Sequence, residues 1–527
     1  MASVSKEGNL IKVRWDRDDW LKGLLPEASQ GGTDSREGSG FSAQKAVNPW
    51  RDIGYIQPGY NGVADSGMGN ITTDAIIKNI AVSGSSAYPI EDNVNVHKMN
   101  AVTGSIQNAS GFPHAIGTSL SGHGGHADFV GSDIITYTIS GTDYVFYSWN
   151  DGTDGDVGRL SLPNTFADDY MSASATGGAV LDDSFPHPMI VGDDDILYIA
   201  NGSEIVAYDG PNNTAATLAF SVPNGYTITS FAKSPNYLVV FCSTKTAYDS
   251  APGEAFAYFW DYASEDATFK YDLNAAYVNG GFSYKGTTGC FVQRTSQSSN
   301  RSFMLVFTGG GFETVASFRQ KIPGHGGVAI MDEMVIFNAG FFDEGTSSIY
   351  AYGRLLKGFD NALNQIGLLD GTGVEGCAYA TGYDSLFASA GGTDAELQKF
   401  ISNYQDGASF YTGLANIDFG RYGQGKVVGV KVVYKDTVSA GREFTLSLNT
   451  DSSGVTTNTR GTQTTLLSNV TATDTLIEHI DFASDGTELP QFSNSIGIYA
   501  DWADGDADEA HIIHSVEVFI EPVSTSS

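Results

Sequence analysis

Cations are what this sequence lacks most. It carries 28 Lys+Arg against 61 Asp+Glu, a formal charge of −33 over 527 residues. Only 17 % of residues are charged, so the acidity comes from missing Lys and Arg more than from abundant carboxylates. A groove that grips nucleic acid needs clustered cations to displace counterions, so specific nucleic-acid binding is not expected. Cysteine is nearly as scarce. Cys242, Cys290 and Cys377 are far apart and odd in number, which argues against a disulfide framework and predicts buried free thiols. No stretch approaches the ~18 apolar residues of a membrane span. The opening MASVSKEGNLIKVRWDRDDW has no apolar core of a secretory signal, so synthesis in a reducing cytoplasm is expected.

Catalytic signatures are missing too. No GxxxxGK[ST] occurs, and GTSLS (117–121) falls short of GxSxG. The sialidase box S-x-D-x-G-x-T-W is absent, and SWNDGT (148–153) lacks its order. With 61 acidic residues, a carboxylate pair for glycoside hydrolysis can always be proposed and so carries no information. We expect no catalytic residues and no cofactor. His114, His123, His126 and His325 cluster near glycines, but His126, His187 and His325 recur at the starts of similar units. A repeated structural role explains them better than a metal site. Asp504, Asp506 and Asp508 match the 1-3-5 spacing of a calcium loop. Glu509 then stands where an EF-hand needs Gly, and Ser515 where it needs Glu, leaving only a weak calcium candidate.

What the sequence has is glycine and short strands. The 63 Gly stand well above the usual ~7 % share, and 41 % hydrophobic residues argue against disorder. From about residue 70 to 402 a unit repeats: a Gly- or His-marked start, an apolar run, a tight turn and a second strand. Examples are 126–149, 187–210, 228–250, 280–307, 326–353 and 375–400, with a weaker copy near 75–84. Within units the residues alternate, with Ile135, Tyr137 and Ile139 on one face. The spacing approaches that of four-stranded propeller blades, which cover each other's faces by radial stacking. The expected fold is all-β, with a six- or seven-bladed β-propeller at 51–402, closed by a strand from 50–60. A β-solenoid is the rival.

A jelly-roll or immunoglobulin-like β-sandwich is expected to follow at 403–527. VVGVKVVY places Val428, Val430, Val432 and Tyr434 on one face, and EFTLSLNT does the same for Phe444, Leu446 and Leu448. Residues 1–50 read as an arm and tether. A short helix over 15–25 would present Trp20, Leu21, Leu24 and Leu25, followed by the Gly/Ser-rich run 30–40. Folding of this segment onto its own domain is the competing reading. Most of the 26 Tyr, 30 Phe and 6 Trp are expected between sheets. Tyr411, Tyr422, Tyr499 and Trp502 form the candidate sugar-contact set.

The tether, the segment GFSAQKAVNPWRDIGYIQPGYNGV (40–63), the propeller and the sandwich run YTGLANIDFGRYGQGKVVGVKVVYKDTVSAGREFTLSLNTDSSG (411–454) together resemble bacteriophage tail proteins. The likeness extends to propeller-bearing virion proteins such as the tail nozzle of short-tailed phages. It implies a non-enzymatic structural component of the virion, made in the host cytoplasm. Its implied partners are copies of itself and other tail proteins, and the implied assembly contacts are Arg14, Trp15, Arg17 and Trp20 of the arm. If several copies line a conduit, acidic walls keep passing DNA from adhering. The alternatives are a host-surface or carbohydrate-binding adhesin, with the sandwich as reader of a host glycan, and a polysaccharide hydrolase.

Overall fold

The structure is a computed structural model. It describes residues 2–22, 41–45, 47–49, 53, 55–64, 77–92, 95–102, 111–117, 130–245, 252–294, 302–318, 320–331, 334–340, 347–354, 361–369, 375–380, 385–390, 396–404, 408–412, 415–419, 422–438, 443–449, 463–470, 476–482, 491–492, 495–503 and 509–524. The chain folds into two compact units, one containing both chain ends and the sandwich, the other centred on the propeller.

Seven antiparallel sheets follow one another in the propeller. Blade 1 is Ile77–Ser83, Ser86–Glu91, Asn95–Val96 and His114–Ala115, with Met99–Asn100 beside it. Blade 2 is Val130–Ile139, Thr142–Asn150, Gly155–Ser161 and Thr165–Ala167. Blade 3 is Met189–Val191, Leu197–Asn201, Glu204–Asp209 and Thr214–Ser221. Blade 4 is Thr227–Ser234, Tyr237–Ser243, Ala255–Trp260 and Phe269–Asp272. Blade 5 is Tyr277–Tyr284, Thr287–Gln293, Ser302–Phe307 and Phe312–Phe318. Blade 6 is Val328–Met331, Met334–Ala339, Ser347–Gly353 and Ala362–Leu369. Blade 7 takes three strands, Glu375–Ala380, Ser385–Ala390 and Glu396–Tyr404, and its fourth from Tyr60–Ala64.

The first strand of each blade lies against the first strand of the next, and that of blade 7 against that of blade 1. The sequence range of six or seven blades thus resolves to seven, and the solenoid falls away because the ring closes. The closing strand is Tyr60–Ala64, which takes only the last residue of the expected 50–60 segment, since Ile56 instead bridges to Ile513.

Burial explains why the ring is stable. Each apolar cluster draws on two adjacent blades: Phe146, Val157, Leu197 and Tyr208 join blades 2 and 3, while Phe241, Phe259, Val292 and Leu305 join blades 4 and 5. Cys242 and Cys290 are buried free thiols in these layers. Burial pushes the Cys242 thiol up to about 12, which makes it inert. Tight turns connect the strands. Ser140 and Gly141, both at positive φ, form the two-residue turn that suits a right-twisted hairpin.

The sandwich has eight principal strands: Leu10–Trp15, Ala408–Thr412, Gly423–Tyr434, Phe444–Asn449, Gln463–Val470, Ile477–Asp481, Ser495–Trp502 and Ile513–Ser524. Numbered in chain order, they form sheets 1-8-3-6 and 2-7-4-5. That order is a jelly roll, which settles the choice left open by strand spacing. Val13, Val430, Val432 and Val518 from one sheet meet Phe410, Leu446, Ile498 and Trp502 from the other in a single core.

Two expectations are corrected here. The segment placed in an arm supplies the first jelly-roll strand, so the propeller is inserted into the sandwich sequence between its first two strands rather than preceding it. The physical reason is alternation: Ile11, Val13 and Trp15 are buried, and the strand pairs with Ile513–Ser524. In Gly423–Tyr434, a bulge between Val427 and Gly429 shifts the phase, so Val427 is buried and Val428 only half-buried, while Val430, Val432 and Tyr434 stay inside.

Candidate functional sites at the propeller axis and the N-terminal hairpin

Five first strands of the propeller carry a bulge at a similar place, opposite Ile77/Asn79, Gly131/Asp133, Ile228/Ser230, Asn279/Phe282 and Glu375/Cys377. An extra residue turns polar side chains out of the ladder and toward the next blade. Asn79 Nδ2 donates to Asp133 Oδ1 at 2.5 Å and to the Ile134 carbonyl at 3.2 Å. Asp133 Oδ2 accepts the Met189 N–H at 2.6 Å, and Ser132 Oγ accepts that of His187 at 2.6 Å. Thr229 Oγ1 donates to the Val278 carbonyl at 2.6 Å, and Ser230 Oγ accepts the Gly281 N–H at 2.7 Å. These side chains clasp neighbouring blades through backbone groups that sheet pairing leaves free.

His325 lies at the centre of this set. Its Nδ1 is 2.8 Å from Ser230 Oγ, its Nε2 3.0 Å from the Met189 carbonyl and 3.6 Å from Asp133 Oδ2. Because the Ser230 hydroxyl accepts from Gly281, its proton is free for Nδ1, which leaves Nε2 to donate to Met189. The turn His325–Gly327 also lies against the first strands of blades 1, 4, 5 and 7. Contact with blades on all sides puts it on the ring axis, where it closes the propeller. A Cβ on Gly326 would sit 2.3 Å from the Lys78 carbonyl oxygen, so only glycine fits there. Burial raises the carboxyl of fully buried Asp133 above the usual range, against the pull of His325 and three hydrogen-bond donors.

The other histidines go elsewhere. His114 Nε2 is 2.7 Å from Asp168 Oδ1, which also accepts the Tyr147 hydroxyl at 2.6 Å, and the His114 ring stacks on Phe166 at 3.6 Å. His187 is buried with Nδ1 2.9 Å from the Ala200 carbonyl. His123, His126, Asp504, Asp506 and Asp508 lie outside the described residues. Among those described, no three His, Cys, Asp or Glu side chains converge as metal ligands would.

Asp156, in the acidic run 150–156, is buried and held by the Val157 N–H at 2.7 Å and by the Ser172 hydroxyl. Burial pushes its carboxyl up to about 7. The folded state therefore holds its proton more tightly than the unfolded chain, and stability falls as pH rises from about 4 toward 7. We expect Asp156→Asn to flatten this dependence and to raise the melting temperature relative to wild type above pH 7. Thermal melts across this range check it; parallel curves for the two proteins would refute the assignment.

In the jelly roll, the N-terminal hairpin pairs Ser3–Glu7 with Leu10–Trp15. Asp16 caps the four-residue helix Arg17–Trp20 through a capping box with Asp19, whose buried carboxyl is raised to about 6. The helix is shorter than expected, and Leu24 and Leu25 fall outside the described residues. Trp20 Nε1 donates to the His514 carbonyl at 3.0 Å, and its ring meets Phe410 edge-on at 5.8 Å.

Of the expected assembly residues, Trp15 and Trp20 are therefore core and unavailable to a partner. Arg14 pairs with Glu517 at 3.3 Å and Asp16 at 3.1 Å, while Arg17 remains exposed. The sugar-contact set is likewise divided. Trp502 is buried with its Nε1 donating to the His511 carbonyl at 2.9 Å, so its face is unavailable for stacking. Tyr411 and Tyr499 are half-buried cross-strand neighbours, rings 4.4 Å apart, and Tyr422 packs against the core.

The outer strand of the hairpin is unlike the rest. All five residues of Ser3–Glu7 are exposed on both faces, whereas Leu10–Trp15 beside it alternates into the core. Val4 and Lys6 sit opposite Val13 and Ile11, on the core side, but extend past the core beneath. Among the described residues, no strand pairs with the far edge of Ser3–Glu7.

No protein-family model matches the chain, and no curated protein matches it in sequence. Solved structures similar to it include an exo-β-1,3-galactanase from Phanerochaete chrysosporium, at 12 % identity and TM-score 0.33, covering 87 % of this chain and 100 % of that one. The Pan2 WD40 domain of Neurospora crassa is similar at 9 % identity and TM-score 0.42, over 65 % of this chain and 94 % of that one. Hydrazine synthase of Kuenenia stuttgartiensis follows at 11 % and 0.41, over 64 % and 98 %. The fold assignment rests on sheet order; likeness at this level carries no argument about activity.

Proposed function

We propose that this chain is a structural component of a phage virion, a tail protein that acts by assembling with copies of itself and with other tail proteins. The overhanging strand Ser3–Glu7 carries the reading. A strand exposed on both faces gains little by folding onto its own domain, yet its open edge presents a row of backbone donors and acceptors to another chain. The resemblance to tail proteins and the net charge of −33 support the same role. The acidic conduit of this reading is one formed between copies of the chain. The assembly surface then consists of Ser3, Ser5 and Glu7 with exposed Arg17, in place of the two tryptophans.

Deleting residues 2–8 tests this. The deletion spares the buried strand Leu10–Trp15, so melting is expected to change little while self-association in sedimentation, or incorporation into particles, is lost. A full chain that never associates, or a deleted chain that associates equally, overturns the reading.

A further inference from the structure

Between blades 4 and 5, at the ends of their hairpins, lies an open cleft of about 440 Å³. We infer that this cleft binds a neutral saccharide. Its walls are the rings of Tyr237, Phe269, Tyr271 and Phe307 over a buried Phe259 floor. Tyr237 and Phe269 are 5.8 Å apart, Tyr271 and Phe307 5.2 Å. Phe269 is 47 % exposed, a ring left in water where most others are packed.

The chemistry of the lining selects the ligand. Among the described residues, no charged side chain lines the cleft, although 17 % of the sequence is charged, so an ionic ligand finds no counter-charge there. The hydroxyls of Tyr237, Tyr271, Ser234 and Thr287 make no hydrogen bond among the described residues, so a wholly apolar ligand would bury them unpaired at a cost. A sugar ring meets both demands, with C–H faces for the aromatic rings and hydroxyls for the four side chains. Gly286 and Gly309, both at positive φ, keep the rim free of side chains and bring backbone groups to the opening. The size falls within the range of small-ligand sites. The sandwich tyrosines play no part in it, and the inference stands apart from the virion reading, since it is measured on the isolated chain.

The test is saturation-transfer NMR on the full chain with short neutral gluco-, galacto- and manno-oligosaccharides, an anionic uronic-acid oligomer and a short aromatic peptide. At least one neutral sugar is expected to bind. Phe269→Ala, at a half-exposed position, is expected to weaken it about tenfold, the worth of one stacked ring. Thr287→Trp, which fills the cleft, should abolish it. Binding of none of the neutral sugars, binding unaffected by Phe269→Ala, or binding of only the anionic oligomer or the peptide overturns the inference.

Discussion

Removing residues 2–22 is expected to unfold the jelly roll. The segment supplies Ile11, Val13, Trp15, Trp20 and Leu21, each between 0 % and 4 % exposed, and the whole strand that flanks Ile513–Ser524. Even a single Trp15→Ala substitution should cost about 3–5 kcal/mol, through lost transfer energy and the cavity it leaves. The full deletion also uncovers the edge of Ile513–Ser524 and deprives the His514 carbonyl of its Trp20 donor. Denaturant titration of Trp15→Ala, with limited proteolysis of the deletion to watch 408–524 become cleavable, measures both. The contrast with the 2–8 deletion gives the test its force, because the two differ mainly in buried residues. A stable jelly roll without residues 2–22 would mean that the segment is an arm after all.

The second large effect is expected at Asp133. Asp133→Ala takes one of two acceptors from Asn79 Nδ2, strips the partner from the N–H groups of Ile134 and Met189, and removes the carboxylate beside His325. Each buried donor left unpaired costs about 1–3 kcal/mol. These share one network and do not simply add, so a loss of about 3–5 kcal/mol is expected, read as a lower denaturant midpoint. Asp133→Asn, which keeps an acceptor oxygen, should lose less. A change within about 1 kcal/mol for Asp133→Ala would show that the axis contributes little to ring closure.

Both sites were partly legible. The apolar alternation of Leu10–Trp15 is plain in LIKVRW, but the Gly/Ser-rich run 30–40 that follows points to an arm. Lys12 and Arg14 occupy the outward face of a strand whose inward face is core, so charge and burial coexist at period two. At the axis, the recurring histidines stand out in the sequence, whereas nothing marks Asp133 within VGSDIITY. Its importance depends on a bulge, and a bulge is set by how two strands pair. The aromatic cleft had no sequence signal, because its rings come from two blades and differ from other core aromatics only in exposure.

By itself, the sequence determined the strands, their turns, the propeller repeat, the sandwich and the acidic balance, since these follow from local periodicity and composition. Period-two alternation states that one face of a strand is buried; it does not say against what. Tertiary structure alone decided that Leu10–Trp15 pairs with a strand some 500 residues away, that Trp502 turns inward and that His325 fills the axis. Those outcomes depend on which surfaces meet after the ring closes, and that is a property of the whole chain.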